Sequence, residues 1–490
     1  MTPWLYIDAR YERLETALHD AIERTSLQQQ LPGYLHTQRW FGGQTRTVVE
    51  VTLERWVELE TTGACICVVL VGDSAGVRTE HQLYLIVGPE EEGQRPVLDA
   101  LELGEVRAEL LDLVLAGARR EGYRAELVCE GGPDQPEGCR GEGRLVGVEQ
   151  SNSSIIYDDA CILKVYRRVE HGENPDLELG RHLSSEAGFP GVPAVLASAR
   201  LESADGFNTT ALMLQQYVPN DGDGWAWALE AAARAMSGAG TPENLPEWLH
   251  NERSSLDGAA TLGETTARLH VALASASGEG MQPQAVTDED LGAWCEEMRQ
   301  EAREAGRAML QTALEAPELA AAIQHVAEAS VRPAGMAAGG AGLKMRVHGD
   351  YHLGQVLRTS TGFVVLDFEG EPARPLLERR VLQHPLVDVA GMVRSWSYAA
   401  HTAAQRAGTP EMASPWEQAM REGFLGSYFH TAESASPEFL PADSAVRAGL
   451  LEVFELRKAL YEVRYELNNR PDWVDIPASA VRRLAEERGD

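Results

Sequence analysis

The chain has 490 residues, of which 44% are hydrophobic and 24% charged, as is usual for a globular protein. Its net charge of −32 argues against nucleic acid or an anionic membrane as the main partner, because binding to phosphate groups needs a basic surface. A chain of this length buries several cores without disulfides, so we expect its six cysteines to be reduced thiols.

The first 95 residues are predicted to combine helix and sheet. Leu14, Leu18 and Ile22 recur at helical spacing and predict an amphipathic helix over residues 1 to 30. Three β-branched runs separated by Gly or Asp predict strands: 47–58, 64–71 and 82–87. The charged start lacks the apolar core of a signal peptide, and run 64–71 is shorter than the about 20 residues that span a bilayer. We therefore expect a cytoplasmic protein.

Two further blocks follow. Residues 96–218 are predicted to be rich in strands, with helices at 97–120 and 176–187 and strands at 161–168 and 211–218. Residues 219–490 are rich in Ala and Glu with helical periodicity, ending in a strong helix at 450–468. A Gly/Ala-rich linker at 329–342 and a loop-like stretch at 347–375 interrupt this third block.

The stretch 347–375 carries the most chemistry. Asp350 follows a glycine turn, Gln355 comes five residues later, and an apolar hairpin strand then ends in Asp367. Two carboxylates and an amide on adjoining loops can hold Mg²⁺ and leave one carboxylate to accept a proton, which is the equipment for phosphoryl transfer. A metallohydrolase site at His348, Asp350 and His352 is the alternative, and it would need further ligands nearby. We expect His348 to be a packing and hydrogen-bonding residue.

Lys164 lies inside an apolar strand, so we expect its side chain to be buried. Buried lysines are seldom unpaired, so this one needs a partner. A lysine that reaches the phosphates of a nucleotide, held by Glu178 or, as second choice, Glu173, explains this position; a lysine at the edge of a sheet is the alternative. A polar turn without a glycine motif is predicted to cover the phosphates: Gln150, Ser151, Asn152, Ser153 and Ser154. The end of strand 211–218 is predicted to offer backbone groups to adenine: Gln215, Tyr217 and Val218.

The motif HGDYHLGQ, an apolar strand and DFE resembles the aminoglycoside-phosphotransferase and choline-kinase branch of the kinase-like fold. RWFGGQ, LKVYRR, HPLVDVAGMVRSW and KALYEVRYELNNRPDW extend the similarity to the actinobacterial maltokinases over nearly the whole chain. The resemblance implies a bilobal α+β kinase-like fold with an α/β cap at 1–95, a β-rich nucleotide lobe at 96–218 and a mainly helical lobe at 219–490. It also implies ATP and Mg²⁺, with Asp350 as catalytic base, Asp367 and Gln355 as metal ligands and Lys164 on the phosphates. Gln355 stands where the wider superfamily has Asn.

Several residues are candidates for the acceptor site. Aromatic rings that stack on a sugar and carboxylates that accept its hydroxyls motivate this set: His352, Glu369, Glu371, Arg374, Trp396, Tyr398, Glu455, Tyr461, Glu462 and Tyr465. For the last helix, packing with a solvated charged face is the alternative interpretation. For Glu369, Glu371 and Arg374, structural ion pairing is equally compatible with the sequence.

The resemblance implies maltose as acceptor. However, Tyr351 and Trp396 are bulkier than the residues typical of maltokinases, and we expect them to shorten the pocket toward a monosaccharide. The carboxylates favour a protonated amine. The sequence therefore predicts a sugar kinase acting on an amino monosaccharide such as glucosamine, with maltose 1-phosphate synthesis and a non-catalytic pseudokinase or sugar-binding module as alternatives. We expect no nucleic-acid or membrane partner, and a monomer or weak dimer.

Overall fold

A computed structural model describes residues 5–41, 47–132, 137–146, 152–312, 316–328, 339–372, 374–435 and 437–487. Gln150, Ser151, residues 42–44 of RWFGGQ and residues 329–338 of the predicted linker lie outside these ranges. The chain divides into two compact units. Unit 1 comprises Met1–Arg181 and Pro193–Pro219, and unit 2 comprises His182–Val192 and Asn220–Asp490.

Unit 1 contains two antiparallel sheets and four helices. The helices are α1 (Leu14–His19), α2 (Ala21–Thr37), α3 (Gly104–Leu115) and α4 (Pro175–Arg181). The first sheet has the order β1 (Leu5–Asp8), β5 (Gln94–Asp99), β4 (Arg78–Val87), β3 (Cys65–Asp73) and β2 (Val48–Glu58), with β11 (Arg168–Val169) also on β4. The second has the order β6 (Arg119–Glu121), β7 (Glu126–Gly131), β12 (Val195–Glu202), β13 (Asn208–Gln216), β10 (Cys161–Tyr166), β9 (Asn152–Tyr157) and β8 (Arg144–Val146).

The first sheet is covered on both faces. Alternate residues of a strand point to opposite faces, so Cys65, Cys67 and Val69 of β3 join one core with α1 and α2. Ile66 and Val68 join another core, which includes α3 and the second sheet. Burial on both faces explains why the predicted run 64–71 is continuously apolar instead of alternating between apolar and polar residues.

The N-terminal helix prediction is only partly right. The chain starts with β1, and the helix then breaks at Asp20, whose carboxylate accepts from the backbone N–H of Ile22 at 2.9 Å and begins α2. The break changes the direction of the helical face, so Leu14 and Leu18 are buried whereas Ile22 is exposed.

Two other predicted helices are shorter than expected. Residues 97–120 form the end of β5, a 3₁₀ turn, α3 and the start of β6. The helix predicted at 176–187 ends at Arg181, and a π-helical turn follows at His182–Glu186.

The expectation of six reduced thiols is wrong for one pair. Cys139 and Cys161 form a disulfide with their Cα atoms 5.6 Å apart. Cys161 lies on β10, and its partner lies in the segment before β8. The other four cysteines are free and buried.

Unit 2 is mainly helical. Its helices are α5 (Gly224–Ala239), α6 (Leu245–Glu252), α7 (Ser254–Ala274), α8 (Asp288–Gln311), α9 (Pro317–Glu328), α10 (Leu376–Arg379), α11 (Leu386–Ala407), α12 (Ala413–Ala435), α13 (Ser444–Asn469) and α14 (Asp475–Glu487). Two short antiparallel strand pairs accompany them: β14 (Gln284–Ala285) pairs with β15 (Leu343–Lys344), and β16 (Val356–Thr359) forms a hairpin with β17 (Gly362–Val365). One core lies between α8, α9, α13 and α14. None of the described helices has the length and apolarity needed to cross a membrane.

Candidate active site

The loop before β16 carries Asp350, and a buried carboxylate stabilises this loop through hydrogen bonds to its backbone. Asp388 of α11, which is 1% exposed, accepts from the backbone N–H groups of His348 at 2.8 Å and Gly349 at 2.9 Å. His270 Nε2 lies 3.2 Å from the same carboxylate. Gly349 has φ +83°, a conformation that side chains rarely adopt. These contacts fix the turn that presents Asp350.

Gln355 and Asp367 converge at the base of the β16–β17 hairpin. The backbone N–H of Leu366 donates to Gln355 O at 2.9 Å, and Gln355 Nε2 donates to Asp367 Oδ2 at 3.1 Å. Asp367 has φ +65°, a strained conformation for a residue with a side chain and one that clusters at functional sites. Carboxylate and amide oxygens are the donors that Mg²⁺ prefers, so these two residues fit that ion.

His348 and His352 form hydrogen bonds with backbone groups of this region. His348 is buried, and its Nε2 lies 2.9 Å from Leu366 O, so it has the packing and hydrogen-bonding role that we predicted. Nδ1 of His352 accepts from the backbone N–H of Gly354 at 3.0 Å and caps the turn that carries Gln355. Burial lowers the pKa of His352, although Asp350 opposes this.

The carboxylate of Asp350 is half-buried and faces α13. Lys458 Nζ lies 3.9 Å from Asp350 Oδ1 and 5.1 Å from the centre of the Tyr461 ring. Burial raises the pKa of Glu371, but Lys458, Arg374 and a hydrogen bond with Tyr461 outweigh burial and hold that pKa below its ordinary value. The structure thus brings Asp350, Glu371 and Tyr461 together around Lys458, a residue that the sequence analysis missed.

In unit 1, Lys164 is buried and paired. Its Nζ lies 2.7 Å from Asp176 Oδ2, and Tyr166 Oη donates to the same oxygen at 3.1 Å. Asp176 was not among the predicted partners, although it lies two residues before Glu178 on the same helix. Glu173, our second choice, is wrong, because its carboxylate pairs with Arg181 at 2.9 Å. Glu178 is buried on α4.

The described part of the predicted phosphate turn forms the start of β9. Asn152 and Ser154 are buried there, and Ser153 Oγ accepts from Arg167 Nε at 3.0 Å. Arg167 is itself buried, lies 3.3 Å from Asp99 Oδ2 and stacks over the Trp40 ring. Gln215 lies near the end of β13, and Tyr217 and Val218 follow it.

Three predicted acceptor residues belong to the interior of unit 2 instead. Trp396 is fully buried, with its ring edge-on to Trp227 and Trp416, so it contacts protein rather than sugar. Glu455 is fully buried and pairs with Arg421 at 2.7 Å and Arg483 at 2.9 Å.

Glu462 is held in the same way, by Arg394 at 2.9 Å, and the guanidinium of Arg394 is 1% exposed. Both glutamates are buried and paired with arginines, of which Arg394 is itself buried, and this is a structural role.

Tyr351, which we expected beside the acceptor, is also part of the core. It is 3% exposed, and its hydroxyl lies 2.9 Å from Thr266 Oγ1. The ion pair of Arg374 with Glu371, at 2.9 Å, matches the structural alternative left open for these two residues. Tyr398 donates to Glu466 at 2.9 Å, Tyr465 is 44% exposed, and Glu369 O accepts from Arg379 at 2.9 Å. Acceptor roles for these residues stay predictions.

In unit 2, a carboxylate on an anchored turn and an amide–carboxylate pair that fits Mg²⁺, and in unit 1 a buried Lys–Asp pair, are residue types that phosphoryl transfer uses. The family described as APH, the Phosphotransferase enzyme family, matches residues 143–422, which is more than half of the chain. This protein belongs to that family. The predicted family, α+β kinase-like fold and ATP-dependent phosphotransferase class, with ATP and Mg²⁺, are thereby confirmed.

Two curated relatives are glucosamine kinases. That of Streptacidiphilus jiangxiensis is 30% identical over 352 residues, covering 70% of this chain and 74% of the relative. That of Mycolicibacterium smegmatis is 29% identical over 351 residues, covering 71% and 81%. A solved glucosamine kinase in complex with glucosamine, ADP and inorganic phosphate matches with a TM-score of 0.63 and 23% identity, covering 89% of this chain and 95% of that one. This structural likeness supports the fold.

Proposed function

We propose that this protein transfers the γ-phosphate of ATP to a hydroxyl group of glucosamine. The observation that carries the proposal is the placement of Asp350 on an anchored turn next to the Gln355–Asp367 pair. The acceptor follows from the two glucosamine kinases that resemble this chain over about 70% of its length.

In the proposed reaction, Asp350 accepts the proton of the sugar hydroxyl as its oxygen bonds to the γ-phosphorus. The bond from that phosphorus to the bridging oxygen of ADP breaks, and ADP leaves with the electron pair. Gln355 and Asp367 would hold Mg²⁺, and the bound ion would supply positive charge that neutralises the phosphates. Lys164, which Asp176 orients at 2.7 Å, contacts the phosphates that are not transferred.

The charge around Asp350 suits an amino sugar. Glu371 keeps a lowered pKa, so it is ionised at neutral pH and attracts an ammonium group. Tyr461 offers a half-buried ring next to it, with its hydroxyl hydrogen-bonded to Glu371 and its face suited to stacking. These two residues form the acceptor wall that we propose.

The test is a coupled assay of ADP release over glucosamine, glucose, maltose and aminoglycosides, with ³¹P NMR to identify the phosphorylated hydroxyl. We expect glucosamine to be turned over with the highest kcat/KM. Turnover of maltose without glucosamine would favour maltose 1-phosphate synthesis, and ATP hydrolysis that no sugar stimulates would favour a binding module. The matched variant is Asp350→Asn, which we expect to lower kcat by about 10²–10⁴-fold while ATP binding persists. Equal turnover by this variant contradicts Asp350 as base.

The remaining expectations belong to the same proposal. Because its proposed substrates are ATP and a small soluble sugar, we expect the protein to act in the cytoplasm without a nucleic-acid or membrane partner. We also expect it to be a monomer or weak dimer. Size-exclusion chromatography with light scattering measures the last of these directly.

A further inference from the structure

Lysine is almost absent from this chain. Of its 43 basic residues, 40 are arginine and only three are lysine, namely Lys164, Lys344 and Lys458. Arg and Lys are not interchangeable, because lysine is a compact point charge whereas arginine is a planar fork. Each of the three lysines therefore places a compact point charge where arginine would place a planar fork.

Two of the three lysines have partners that explain them. Lys164 is paired with Asp176 at 2.7 Å, and Lys344 is paired with Asp290 at 2.8 Å in the first turn of α8. Lys458 differs, because its only ion-pair partner among the described residues is Asp350, at the long distance of 3.9 Å. An ammonium group has three donors, so most of the hydrogen-bonding capacity of Lys458 is open at this distance.

The arginines of α13 have structural roles, which differ from the position of Lys458 on the same helix. Arg457 is paired with Glu297, Arg464 with Glu301 at 3.2 Å, and Arg447 with Glu433. These carboxylates come from neighbouring helices, and the pairs tie α13 to them. Lys458, one-third exposed, points instead at the base of the reaction.

Lys458 lies beside the carboxylate that the proposed function makes the base, which is where the acceptor hydroxyl meets the γ-phosphate. Cations at the oxygens of a phosphoryl group that is being transferred stabilise the transition state. Resting on the proposed function, we propose that Lys458 is a catalytic residue whose ammonium group donates a hydrogen bond to an oxygen of the transferring phosphoryl group, next to Asp350.

The first test compares Lys458→Met, Lys458→Arg and the control Arg447→Met, which removes a cation of the same helix that lies in a structural pair. We expect Lys458→Met to lower kcat by about 10²-fold or more, with the dissociation constant of glucosamine, measured by calorimetry, changed less than about threefold. Lys458→Arg should recover part of kcat, and Arg447→Met should keep it. A loss of sugar affinity at unchanged kcat would overturn the proposal and assign Lys458 to the acceptor.

The second test reads Lys458 without turnover. Protein labelled with ¹³C at lysine Cε gives only three side-chain signals, and the Lys458→Arg variant assigns one of them. We expect this signal to shift on adding Mg²⁺, ADP and aluminium fluoride, which mimics the phosphoryl group, and to stay in place with glucosamine alone. If the chemical shift of this signal does not change when the mimic is added, the proposed role of Lys458 is overturned even if the enzyme is active. Absence of glucosamine turnover by the wild-type protein contradicts only the proposed function.

Discussion

Replacing Asp388 with Asn tests whether one buried carboxylate holds the turn that presents Asp350. Asp388 accepts from His348 N at 2.8 Å, Gly349 N at 2.9 Å and His270 Nε2 at 3.2 Å. Asn keeps one oxygen, and its NH₂ group faces a backbone N–H that then has no acceptor. An unsatisfied buried donor lowers the unfolding free energy by about 1–3 kcal/mol. Loss of the negative charge weakens the two remaining hydrogen bonds by about 1 kcal/mol each, which brings the expected loss to about 3–5 kcal/mol.

Urea unfolding followed by tryptophan fluorescence measures the stability, and steady-state kinetics measures kcat. The control is Asp257→Asn in the same unit, where an exposed aspartate pairs with Arg253 at 3.2 Å; we expect a loss below about 1 kcal/mol there. A variant at position 388 that unfolds like the wild type and keeps its kcat would refute the argument that this carboxylate fixes the turn.

The same residue predicts a pH dependence. Burial raises the pKa of Asp388, but the hydrogen bond and charge of His270 and the Gly349 N–H outweigh burial, so the folded-state pKa is lowered. The carboxylate therefore stabilises the fold above its ordinary pKa of about 4, and this stabilisation is lost as pH falls through the lower folded-state value. We expect the difference in unfolding free energy between the wild type and Asp388→Asn to disappear only at such acidic pH.

Three further predictions concern residues whose roles the structure revised. Asp176→Asn should raise the KM for ATP about tenfold by releasing Lys164, whereas Glu173→Gln, which alters only the pair with Arg181, should leave it unchanged. Glu455→Gln should lower the unfolding free energy by about 3 kcal/mol, because it removes the buried charge that Arg421 and Arg483 pair with, while the KM for glucosamine stays the same; a raised KM at wild-type stability would return Glu455 to the acceptor site. Reducing the Cys139–Cys161 disulfide should cost about 3 kcal/mol in urea unfolding, and alkylation of the unfolded, unreduced protein should modify four cysteines; six would show that the pair is reduced.

The parts of the site that the sequence predicts are those built from neighbouring residues. A glycine turn, an amide five residues later and a short hairpin leave little conformational choice, so Asp350, Gln355 and Asp367 were predictable as a group. The strands of the first sheet were also predictable, because their β-branched runs are long and bounded by turns.

Contacts between distant elements were harder to predict. Helical spacing places Glu455, Glu462 and Tyr465 on one side of α13, but it cannot say which side faces Asp350. Arginines from α11, α12 and α14 hold the two glutamates, and this leaves Lys458 and Tyr461 next to Asp350. Likewise, nothing local predicts that Asp176, which lies on α4 like Glu178, stands 2.7 Å from Lys164.

The acceptor prediction illustrates the same limit. Tyr351 and Trp396 suggested a shortened sugar pocket because they are bulkier than expected, yet both are buried in unit 2. The hydroxyl of Tyr351 lies 2.9 Å from Thr266 Oγ1 of α7, and the ring of Trp396 packs edge-on against Trp227 and Trp416. Contacts within unit 2 therefore occupy both bulky side chains. Under the proposed function, selection of the acceptor then depends on the partly exposed side chains around Asp350, of which Glu371 and Tyr461 supply an anionic carboxylate and an aromatic face.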